Sequence, residues 1–86
     1  MDPTGYIQQE SRVPATSLDS IKQNIAFRVR EARLQKRLSQ EALALEANVN
    51  RSYASALETG RANPSIGLLH RIATALDLEV IDLLRP

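Results

Sequence analysis

Arg51, Ser52 and Ser55 stand close together around the small apolar Ala54, with Leu57 just beyond. On a helix, residues three apart share a face. Ala54 and Leu57 then turn inward and leave the guanidinium and the two hydroxyls outside. Such a surface forms hydrogen bonds; it does not make or break covalent ones. The planar fork of an arginine matches the O6 and N7 acceptors of guanine in a major groove. The short serine hydroxyls reach a base only at close approach or through water. Asn50, just before them, is suited to capping their helix. No nucleophile–base pair, carboxylate dyad or glycine-rich phosphate loop is present, so an enzyme is not expected. The absence of cysteine removes disulfides and thiolate metal sites. The single histidine, His70, cannot build a multi-histidine site and reads as a partly exposed helical residue. No cofactor and no metal are expected.

Charge placement says more than the sum. The formal net charge is +1, which by itself does not point to nucleic acid. Residues 22–37, however, hold Lys22, Arg28, Arg30, Arg33, Lys36 and Arg37 against Glu31 alone. Both ends of the chain are mildly acidic, through Asp2, Glu10 and Asp19 at one and Asp77, Glu79 and Asp82 at the other. Only Tyr6, Phe27 and Tyr53 are aromatic, too few for a platform that stacks single-stranded bases. A hydrophobic content of 43% contains no apolar run near the ~18 residues of a membrane span. The first residues lack the basic-then-apolar layout of a signal peptide. A cytoplasmic chain without a membrane partner is expected.

These residues need elements to hold them. Eighty-six residues make one domain with a marginal core. Residues 1–18, with Pro3, Gly5 and Pro14, show no period and read as a flexible arm, from which Tyr6, Ile7 and Val13 could dock on the domain at 19–86. Asp19, with Ser17 and Ser20 as rivals, caps a first helix that buries Ile21, Ile25, Val29 and Ala32 and stops near Arg37. Phe27 and Leu34 fall on roughly the opposite face; one of them is expected to turn in at the core's edge. Ser39 starts a second helix with Leu43, Ala44 and Ala47. Asn48 suits a left-handed turn, and Asn50 caps a third helix from Arg51 to about Thr59, ended by Gly60. Asn63-Pro64-Ser65 opens a fourth, with the stripe Ile66, Leu69, Ile72, Ala73 and Leu76. A fifth runs from about Glu79 to Leu84. The expectation is an all-α fold of five short helices, with two of them, at about 39–59, forming a helix-turn-helix. Small residues belong where those two cross, and Ala44 and Ala47 are there; Val49 plugs the angle between them.

The stretch Val29–Leu84 resembles the phage-repressor/Cro-type, or Xre-like, helix-turn-helix family. The residues that carry the likeness are Val29-Arg30, Arg33, Leu38-Ser39-Gln40, Leu43-Ala44, Val49, Arg51-Ser52-Tyr53, Ser55, Leu57-Glu58, Gly60-Arg61, Asn63-Pro64-Ser65, Leu68-Leu69, Ile72-Ala73, Ala75-Leu76 and Leu83-Leu84. The resemblance implies five helices and binding of double-stranded DNA, usually as a dimer on a near-palindromic operator. The chain departs from the family pattern at Asn48, at Arg37-Leu38 and at Asp77, where glycines are common, and at Ala54, where a larger residue is usual.

The resemblance also distributes roles. It puts Arg51, Ser52 and Ser55 on the groove-facing side. It implies that Gln40 meets a backbone phosphate and braces the reading helix. Ser39 is a cap that can touch the same phosphate, and Tyr53 is divided between a phosphate contact and plain packing. Arg61 and Asn63 read as backbone clamps beside a helix N-terminus, where unpaired N–H groups attract phosphate. Arg30, Lys36 and Arg37 either widen the basic footprint or form a solvated face. In this family the positions of Arg33 and Glu58 commonly form an internal ion pair. The candidate dimer surface is Leu78, Ile81 and Leu84, although Leu84, with Val80 and Leu83, can also pack inward. The expected function is a sequence-specific transcriptional regulator, a homodimeric repressor or controller; a phage-type repressor, a restriction–modification controller and an antitoxin with a toxin partner all suit the size. The alternative is a protein-binding adaptor on the same fold.

Overall fold

The computed structural model describes residues 17–86, and the arm, save Ser17 and Leu18, lies outside them. Five helices follow one another: α1 (Leu18–Gln35), α2 (Gln40–Ala47), α3 (Arg51–Glu58), α4 (Ile66–Ala75) and α5 (Val80–Leu84). Among the described residues there is no strand. Each start has a chemical cause. The hydroxyls of Ser17, Ser39 and Ser65 and the Asn50 Oδ1 accept the backbone N–H three residues on, from Ser20, Ala42, Leu68 and Tyr53 at 2.7–3.1 Å. At α5 the Asp82 carboxylate accepts the Glu79 N–H at 2.9 Å. Ser17 therefore caps α1 in place of Asp19, which sits in the first turn and complements the positive end of the helix dipole.

The ends of α1 to α4 share a device. Arg37, Asn48, Gly60 and Asp77 all have φ between 58° and 76°, which reverses the chain and frees the next segment to turn. Only one of the four is glycine. A Cβ at Gly60 would displace only the exposed Gln23 side-chain amide, so the positive φ is what favours glycine there.

The core takes one large, fully buried side chain from every helix: Val29, Leu43, Leu57, Ile72 and Leu83. α1 packs on α3 and α5, α2 on α3 and α4, and α4 on α5. Small residues let α2 and α3 cross, since Ala44, Ala47 and Ala54 are all buried. Two expectations are corrected. Phe27 and Leu34 both point outward, at 60% and 54% exposure. Seven residues place them almost in line, and the inward face of α1 is already filled by Ile25, Ala26 and Val29. Ile66, the first residue of α4, is exposed instead of joining the apolar stripe, while Ala62, in the loop before it, is buried.

Candidate nucleic-acid interface

α3 is held at its start by Asn50 and at its end by Glu58. Between them Arg51 and Ser52 are exposed and Ser55 is half-buried, while Ala54 and Leu57 point into the core. Arg51, Ser52 and Ser55 line one open cleft of about 450 Å³ together with Gln40 from the first turn of α2 and Arg61 from the loop after α3. Two guanidinium groups, two hydroxyls and an amide thus converge on one side of the molecule, without a carboxylate among the lining residues. Arg61 is steadied by its Nε donating to the Thr59 hydroxyl at 3.0 Å.

Other candidates stand apart from that cleft. The Ser39 hydroxyl serves as the α2 cap. Tyr53 is half-buried against the core, and burial pushes its hydroxyl pKa above the usual value. Asn63 is exposed two residues before the Ser65 cap. His70 is exposed on α4. Among the basic residues of α1, Lys36 is paired with Asp77 at 2.6 Å across an exposed gap, and the hydrogen bond and charge of Asp77 raise its pKa. Arg28 donates to the carbonyls of Arg85 and Pro86 and so ties the end of the chain to α1.

The tilt of α3 is set by a buried network. The Arg33 guanidinium grips Glu58 with two hydrogen bonds, Nε to Oε2 at 2.6 Å and Nη2 to Oε1 at 3.0 Å. Its Nη1 donates to the Leu38 carbonyl at 2.8 Å. Gln40 Nε2 donates to the same Glu58 Oε1 at 3.2 Å. One carboxylate therefore joins α1, α2 and α3. Its side chain is 2% exposed, and that of Arg33 is 11% exposed. A fork this well satisfied offsets the cost of taking both charges out of water. Gln40 is thus both a wall of the cleft and part of the network behind it.

A second clamp escapes sequence reasoning. Arg71 of α4 donates to the carbonyls of Ala47 at 3.1 Å and Asn48 at 2.7 Å. Those carbonyls end α2, where a cation also answers the negative end of the dipole. Arg71 therefore fixes the turn between α2 and α3. Nothing in local spacing marks it, because the contact joins residues 23 and 24 positions apart.

Two short helices crossing through alanines, joined at a left-handed asparagine, with the second presenting a polar, cationic face, define a helix-turn-helix DNA-binding domain. A helix-turn-helix family model (HTH_3) matches residues 29–83. The chain belongs to that family, the Xre-like group of phage-repressor domains. It is 40% identical over 56 residues to the immunity repressor protein of Bacillus phage phi105, covering 65% of this chain and 39% of the repressor. It is 41% identical over 58 residues to control protein C.BamHI of Bacillus amyloliquefaciens, covering 66% of this chain and 72% of that protein. Among solved structures, the restriction–modification controller protein C.AhdI from Aeromonas hydrophila superposes with a TM-score of 0.70 at 40% identity, covering 72% of this chain and 94% of that one. The chain is accordingly a DNA-binding transcriptional regulator, as its family and the printed names of the repressor and the two control proteins indicate. Among the described residues, no helix is long and apolar enough to cross a membrane.

Proposed function

We propose that this protein is a sequence-specific, homodimeric regulator of the controller kind that acts in the cytoplasm on a near-palindromic operator. The observation that carries the reading is the cleft on α3, where Arg51, Ser52 and Ser55 stand with Gln40 and Arg61 and no carboxylate is among the lining residues. Arg51 reads a guanine edge through two donors. Ser52 and Ser55 follow the groove floor, directly or through water. Gln40 and Arg61, with Ser39, Tyr53 and Asn63 outside the cleft, hold phosphates and set register without reading sequence. The controller assignment is supported by likeness to two such proteins, C.BamHI at 41% identity and C.AhdI at 40% identity with a TM-score of 0.70.

Dimerisation places two reading helices about 34 Å apart, one turn of DNA. Leu78, Ile81 and Leu84 at the C-terminal end form the joining surface. Leu83 fills the core from the same short helix, and this leaves Ile81 and Leu84 outside. Selection from a random duplex library with the full chain tests the proposal. Enriched sequences should contain two inverted half-sites with centres about 10 base pairs apart. Recovery of a lone half-site, or of no consensus, would overturn it.

A further inference from the structure

The outer face of α1 is the part of the molecule that the DNA-binding reading leaves unused. Phe27, the chain's one phenylalanine, and Leu34 stand there, far from the core, with Arg30 and Glu31 between them around a recess of about 250 Å³. Arg28 lies over the Phe27 ring at 5.8 Å from its centroid. Arg30 is exposed and has no ion pair or hydrogen bond among the described residues. The face thus reads apolar, charged, apolar along about 10 Å of helix, with Glu31 paired to Arg28 at 3.7 Å and Arg30 left as the unpaired charge.

We propose that residues 6–13 of the same chain dock on this face, running antiparallel to α1. The segment carries the matching order: Tyr6 and Ile7, then Glu10, then Val13. Pro14 separates it from Ser17, where α1 is capped. The reach fits. Phe27 lies nine residues up the helix from Leu18, about 14 Å. Val13 lies five residues before Leu18, a span of up to about 17 Å when extended. Val13 meets Phe27, Glu10 meets the unpaired Arg30, and Tyr6 and Ile7 meet Leu34. From Val13 to Ile7 the chain extends to about 20 Å, enough to cover the rest of the face with slack. Opposite charge adds to the fit, since residues 1–16 hold Asp2 and Glu10 against Arg12 while residues 22–37 are strongly basic.

A second copy is the weaker occupant on physical grounds. Stable protein pairs bury about 800 Å² on each partner. Two side chains on one helix offer a few hundred at most. A tethered segment needs far less, because the linker holds it at about millimolar effective concentration.

The chain has no cysteine, so a single S11C in the full protein takes one nitroxide label cleanly. Amide signals of residues 27–34 should lose intensity in the oxidised label and recover on reduction. F27D or L34D in the labelled chain should restore them, with the helical circular dichroism unchanged, since both side chains are largely exposed. Undiminished signals at 27–34 would overturn the proposal. So would a loss that appears equally when a labelled, isotopically silent chain is mixed with an unlabelled, isotope-enriched one, because that result assigns the contact to a second copy.

Discussion

Arg51 and Gln40 face the same cleft but differ in what stands behind them. Arg51 has no hydrogen bond or ion pair among the described residues, while Gln40 already donates to Glu58. Removing each should therefore read out differently. Arg51→Ala should lose about 1–3 kcal/mol on the selected operator and relax preference at one base pair. Gln40→Ala should weaken operator and scrambled duplex alike. Anisotropy titrations at fixed salt separate the two, and equal losses on both duplexes for Arg51→Ala would reduce it to a phosphate contact. The buried pair makes a second test at this scale. Glu58→Ala leaves the Arg33 guanidinium with only the Leu38 carbonyl and should cost roughly 3 kcal/mol of stability. Arg33→Ala/Glu58→Ala together should cost less than the sum of the singles by about 1–3 kcal/mol. Urea unfolding of the four proteins measures this coupling; simple additivity would mean that the pair contributes no mutual stabilisation.

Helix ends are where this chain pays most visibly for its geometry. Arg37, Asn48 and Asp77 occupy a conformation that costs an ordinary L-residue about 1–2 kcal/mol. Asparagine and aspartate bear it best, because a short polar side chain can bond locally. Arginine has no such compensation, and Arg37 is exposed with few contacts to lose. Arg37→Gly should therefore stabilise the fold by about 1 kcal/mol, Asp77→Gly by less, and Asn48→Gly by little. The order of urea midpoints tests this, and a destabilised Arg37→Gly would contradict it. Between α2 and α3 the left-handed Asn48 is further restrained by Arg71, whose fork holds the carbonyls on both sides of the bend. That restraint lies outside the helix-turn-helix itself, on α4, so the angle of the reading helix is a property of the packed domain.

At the scale of the whole molecule, besides the exposed Leu18, Leu45 and Ile66, two apolar surfaces remain outside the core. One is the Phe27–Leu34 face of α1; the other is Ile81, 60% exposed at the C-terminal end, with Leu84 one turn along. Exposed patches on small domains mark partner surfaces. If α5 joins two copies about a twofold axis, Ile81→Asp places an unpaired charge in the contact twice per dimer. The expected result is a folded monomer that binds a half-site weakly. Sedimentation of both proteins at micromolar concentration is the measurement, and a monomeric wild type or a fully dimeric variant would remove Ile81 from the interface.

Local physics made much of this legible from residues alone. Caps, left-handed turns and apolar spacing act within three or four positions, so the five helices, the exposed Arg51 and Ser52 and the half-buried Ser55 beside them could be read from neighbours in the chain. Rivalry within that range was harder: Asp19 and Ser17 both suit a cap, and it is the Ser17 hydroxyl that accepts the Ser20 N–H. The fate of Phe27 and Leu34 depended on whether the core still had room, which is set by Leu43, Leu57, Ile72 and Leu83 on four other helices. Burial of Ala62 and exposure of Ile66 follow from where neighbouring elements end, not from their own period. Gln40 on Glu58 and Arg71 on the α2 carbonyls join residues 18 to 24 positions apart. Sequence periodicity carries no term for such contacts, because their energy exists only once the helices are already packed side by side.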